Sequence, residues 1–232
     1  EAFLREMEEE FSDIGLSPEN LIKLIFLLQD NHSKEMTLIE VTDAEFAIQK
    51  QERIKNTLNA VRKFLDCSTL YEYYKNQNTS FIPLFFIAYH IFYKDISNSA
   101  ISEYWKDYET GNVDFKPMYQ WIYKSLLNGV FRSKGAGWIP YKTGIRKLLS
   151  EAKKHKNKIF PCEALLNVYV NHPISYTDDF STENLDKLDS QFVYYLMYNR
   201  KNSIRKNDID HIMPKNILEE KKYDLAKNFF DT

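Results

Sequence analysis

The segment from Phe81 to Tyr93 restricts this chain more than any other. It is apolar nearly all round, with Pro83 near its start and His90 near its end. A helix with apolar side chains on every side leaves no face for water, so it must run through a core with other elements around it. It is too short to cross a bilayer, which takes about 20 apolar residues. A mainly α fold follows, because 16 Tyr and 16 Phe against 6 Gly favour long packed helices over a turn-rich β architecture. His90 is expected to be a satisfied core or near-core histidine rather than a ligand.

Other helices read from their own signals. Ser17-Pro18-Glu19 offers a hydroxyl cap, a proline at the first helical position and an acid in the first turn, and predicts a helix to about Leu28. A longer helix is expected over Asp43 to Asp66, where Ile54, Leu58, Val61 and Leu65 form one stripe. Ser99 to Tyr108, Met118 to Phe131, Tyr141 to Lys154, Cys162 to Tyr169 and Asn184 to Arg200 complete the expected array, roughly eight to ten helices in all. Trp105 and Trp121 are read as core anchors. The chain divides into a helical domain over 1–200 and a distinct element over 201–232, where Ile209 to Ile212 alternates like a short strand.

Cys67 and Cys162 are the only cysteines and read as buried free thiols of a reducing compartment. With no signal peptide at the start, the protein is expected to be cytoplasmic, with no membrane partner. A net charge of −2 exerts no global pull on nucleic acid, so any such surface must be local. One local imbalance stands out. Between Arg132 and Lys158 lie nine Lys or Arg and one acid, Glu151. On the helix from Tyr141, the residues Lys142, Arg146, Lys147, Lys153 and Lys154 occupy much of the surface left by the apolar side. A phosphate-backbone contact surface and a solvated helix face both account for that run.

Near the C-terminus stands Asp208-Ile209-Asp210-His211-Ile212-Met213-Pro214. Phosphodiester hydrolysis needs a base to take a proton from water and a divalent cation to carry charge on the leaving oxygen. Neighbouring residues on an extended strand point to opposite sides. Asp210 and His211 can therefore divide the work, Asp210 holding a hard cation and His211 taking the proton. Pro214 stands where strand pairing would stop. The acid–histidine–x–x–proline order is how an HNH nuclease opens, although an ordinary loop carrying a histidine has the same form.

Most of the chain resembles the C-terminal half of GmrSD-type restriction proteins, which join an N-terminal ParB-like domain to a helical region and a C-terminal HNH nuclease. The resemblance rests on Gly15-Leu16-Ser17-Pro18-Glu19-Asn20-Leu21-Ile22-Lys23, on Phe81-Ile82-Pro83-Leu84, and on the loop from Phe131 through Gly137 with its basic helix. It ends in Tyr194-Tyr195-Leu196 leading to the Asp208–Pro214 element. It implies a metal-binding Asp210 and a general base at His211. The ParB-like domain with its Asp-Gly-Gln-Gln-Arg signature is absent, and the family's later asparagine is expected beyond Thr232. Asn228, in a Lys-Asn-Phe-Phe setting, does not match it.

The sequence thus predicts a multi-helix array with a truncated ββα-metal (HNH) element at its C-terminus. It is expected to be a fragment of a DNA endonuclease of prokaryotic phage defence, restricting foreign or modified DNA. Mg²⁺ or Mn²⁺ would serve the complete nuclease and be bound weakly or not at all here, leaving the fragment inactive. The competing expectation is a non-catalytic helical module that couples a nucleotide-sensing domain to a nuclease or docks on DNA.

Overall fold

The computed structural model describes residues 2–30, 40–76, 79–131, 141–168 and 188–196, and among these the regular structure is helical throughout. The mainly α reading holds. The expected strand at Ile209 to Ile212 and the HNH element lie outside the described residues, as does the loop 132–140.

Helix α1 (Ala2–Phe11) runs into a 3₁₀ turn (Ser12–Ile14), and Gly15 reverses the chain at φ 77. Helix α2 (Pro18–Leu28) starts as the sequence predicts: the Ser17 side chain accepts from the Asn20 N–H, and Pro18 takes the first turn. The long helix expected over Asp43 to Asp66 is two, α3 (Val41–Gln49) and α4 (Gln51–Cys67), broken at Lys50 (φ −107, ψ 9). The break lets α3 pack on α2 while α4 runs along α6 and α7. The α4 stripe of Ile54, Leu58, Val61 and Leu65 is fully buried.

Helices α5 (Tyr71–Asn76), α6 (Ile82–Phe92) and α7 (Asn98–Ser102) follow. The sequence predicts helix from Ser99 to Tyr108, but α7 stops at Ser102 and the chain continues to Gly111 as turns. Tertiary bonds hold that shape: the Trp105 Nε1 donates to the Ala60 carbonyl at 2.7 Å, and the Tyr104 hydroxyl donates to Asp114. Helices α8 (Phe115–Leu127), α9 (Tyr141–Lys153), α10 (Cys162–Asn167) and α11 (Ser190–Tyr194) complete the described elements.

The apolar segment does what its composition demands. From Pro83 to Phe92 every residue of α6 is buried, and α2, α4, α8 and α9 pack around it. Trp121 on α8 is fully buried and donates to the Pro83 carbonyl at 3.2 Å. One hydrophobic core joins residues from Met7 to Tyr195. Cys162 is buried and Cys67 half-buried, both as free thiols. No helix among the described residues is long and apolar enough to cross a membrane.

Candidate functional site

The sequence places chemistry at two positions, the Asp210–His211 pair and the basic helix. The pair lies outside the described residues. The helix is α9, and its local logic is amphipathic: Ile145, Leu148, Leu149 and Ala152 recur at helical spacing and are buried. That fixes where the cations go. Arg146, Lys147, Ser150 and Lys154 fall on the opposite, exposed face. The Lys154 Nζ lies 2.6 Å from Glu151 Oε2. This hydrogen bond holds the Glu151 carboxyl below its ordinary range, and His155 approaches the other oxygen at 3.3 Å. The side chain of Lys142 lies outside the described residues.

Lys153 turns the other way. It reaches the end of α2, where Asp30 adopts a left-handed conformation (φ 58) and ends the helix. There the Lys153 Nζ donates to the Asp30 carbonyl at 2.9 Å, and Lys156 donates to Asp30 Oδ2 at 2.6 Å. The Tyr89 hydroxyl donates to Asp30 Oδ1, and Tyr93 donates to the Leu28 carbonyl at 2.6 Å. Lys156 also sits over the Tyr93 ring, 3.5 Å from its centroid. Burial, then the Asp30 carboxylate, pushes the Tyr89 phenol far above its ordinary value. The basic run is therefore divided: an outer row faces solvent and an inner row fastens α9 to α2 and α6.

A second polar cluster was not foreseen from sequence. Asp114, at the start of α8, is buried, and four donors converge on it. His90 Nε2 (3.2 Å) and the Phe160 N–H (2.7 Å) meet Oδ1, while the Lys94 Nζ (2.7 Å) and the Tyr104 hydroxyl meet Oδ2. Burial acting alone would raise this carboxyl. The hydrogen bonds from His90, Lys94 and Tyr104 outweigh it and hold the group far below the carboxylate range. Burial lowers His90 despite the carboxylate beside it, so the imidazole is neutral at neutral pH.

All four acceptor positions of the Asp114 carboxylate are thus engaged, leaving none for a substrate proton or a metal. Its chemistry is structural: it ties α6, the turns after α7 and Phe160, two residues before α10, into one unit. The sequence does contain a signal at Asp114, an acid directly before a helix, but it points to an N-cap. The structure shows no such cap, because the side chain turns inward. Among the described residues no three His, Cys, Asp or Glu side chains come together as a metal site.

Comparisons with family models, with curated proteins and with solved structures find no match to this chain.

Proposed function

We propose that this chain is the helical region and nuclease opening of a metal-dependent HNH DNA endonuclease of prokaryotic defence, of the kind that GmrSD-type restriction proteins represent. The observation that carries this reading is the sequence Asp210-His211-Ile212-Met213-Pro214 following a helical domain. His211 takes the proton from the attacking water, and Asp210 offers a hard oxygen to Mg²⁺ or Mn²⁺. When bound, such a cation stabilises charge on the leaving oxygen. One carboxylate and one imidazole do not fill an octahedral shell, so the pair alone holds the ion weakly and further ligands are needed.

Nicking of plasmid DNA in Mn²⁺ by the full native protein, with His211→Ala alongside, tests the reading. Cleavage that vanishes in the variant supports His211 as the base; cleavage that persists places the activity elsewhere. Loss of Mn²⁺ binding in Asp210→Asn, read by calorimetry, tests the metal role separately.

A second reading, a non-catalytic coupling or DNA-docking module, is favoured by one observation: Arg146 and Lys147 on α9 and Lys154 just past its end are exposed on one side. It predicts DNA binding that weakens steeply with salt and survives His211→Ala.

A further inference from the structure

We propose that Glu151 restrains the cationic side of α9: its carboxylate holds Lys154 as a phosphate would, withholding that contact from DNA. The proposal rests on the DNA-docking reading and adds its regulation.

Few of the cations around α9 are left to meet a polyanion. Lys153 and Lys156 are fastened to Asp30, and the Lys158 Nζ donates to the Lys154 carbonyl at 3.0 Å. Among the described residues of the basic run, Arg146, Lys147 and Lys154 stand on the outer side. Glu151, the one acid between Arg132 and Lys158, is placed among them. It follows Lys147 by four residues and precedes Lys154 by three, which puts it beside both on the helix surface.

The Lys154 Nζ lies 2.6 Å from Glu151 Oε2, and the His155 Nε2 lies 3.3 Å from Oε1. The carboxylate is the anchored partner, its side chain 23% exposed against 63% for Lys154. The hydrogen bond from Lys154 keeps the Glu151 carboxyl below its ordinary range, so it is charged at neutral pH. Helix stability does not account for an acid here. Glu151 lies in the last turn of α9, where the partial negative charge of the helix end disfavours a carboxylate. Carboxylate and phosphate oxygens are the same kind of charged acceptor for an ammonium. A polyanion that takes Lys154 must displace Glu151 and leave its charge facing phosphate.

Binding of the full chain to a fluorescent DNA duplex is read by anisotropy across a salt series. Glu151→Gln is expected to bind about five- to tenfold more tightly at about 0.1 M salt, its slope of log affinity against log salt steeper by about 0.9, one contact. Lys154→Ala should match wild type, and the double variant Glu151→Gln, Lys154→Ala should lose most of the gain. Glu45→Gln removes the same charge from an exposed position on α3 and should also match wild type. An equal gain in the double variant, or in Glu45→Gln, overturns the proposal, because net charge then explains it. So does DNA binding with an unchanged slope in Glu151→Gln, which leaves the docking reading standing. Absence of salt-sensitive binding by every variant removes the docking reading and the proposal together.

Discussion

The Nζ of Lys153 donates to the backbone carbonyl of Asp30 at 2.9 Å, closing the end of α2 with a residue that the sequence offers to phosphate. If α9 docks on DNA, its basic residues should fall into two classes. Arg146→Ala with Lys147→Ala is expected to flatten the dependence of log affinity on log salt by about 1.8, two contacts at roughly 0.9 each. Lys153→Ala should leave that slope unchanged and lower stability by about 1–2 kcal/mol. Filter binding across a salt series and urea denaturation separate the two. A change in salt slope for Lys153→Ala would refute the division.

Asp114→Asn removes the carboxylate that Lys94 faces in a buried setting. Removing a buried carboxylate charge on which four donors converge costs about 3–5 kcal/mol, because those donors lose their charged partner. The double variant Asp114→Asn, Lys94→Met should recover part of the loss. Urea midpoints for the single and double variants check this, and a loss below about 1 kcal/mol for Asp114→Asn would contradict the buried-pair account.

Acid should weaken the fold in two stages. His90 is depressed in the folded state, so the unfolded chain takes up a proton that the folded chain refuses as pH falls below about 6.5. Asp114 is depressed as well. Its contribution is complete above the ordinary aspartate value and is lost as pH falls below about 4 toward its folded value. Thermal melts between about pH 7.5 and 5.5 should show a decline that His90→Gln reduces. A variant with the wild-type pH profile would remove His90 from the explanation.

Arg53 grips the chain after α6. Its Nε donates to the Phe92 carbonyl at 2.8 Å, Nη1 to Ile96 at 3.0 Å, and Nη2 to Lys94 at 2.6 Å. A lysine has the charge but not the fork. Arg53→Lys is expected to cost about 2–3 kcal/mol through carbonyls left without donors. Guanidinium unfolding gives the value, and a neutral result would show that solvent replaces the lost donors.

The elements legible in the sequence were those that local rules determine. Ser17 and Pro18 begin a helix wherever they stand before an apolar repeat, and the Ile54–Leu65 stripe admits one orientation. The break at Lys50 and the early end of α7 come from distant contacts, the packing of α3 on α2 and the bond from Trp105 to Ala60. The polar clusters were hidden for the same reason. Asp30 meets Lys153 and Lys156 across more than 120 residues, and Asp114 meets Phe160 across 46. Single acids in turns carry no mark of such partners. His90 was legible as a core histidine because its helix had no polar face.

Helix α11 has five residues, too few to hold a helical shape in water by itself. Its order comes from where it sits: Phe192 and Tyr195 lie 5.1 and 4.9 Å from the Tyr73 ring, Tyr123 lies 5.5 Å from Phe192, and the Tyr195 hydroxyl donates to the Thr69 carbonyl. In binding terms the surface of α5 and α8 is a receptor, and α11 is its covalently tethered ligand, held at an effective concentration that the connecting chain sets. A protein cut within 169–187 should thus retain the segment as a dissociable peptide, one that a competing aromatic sequence could displace.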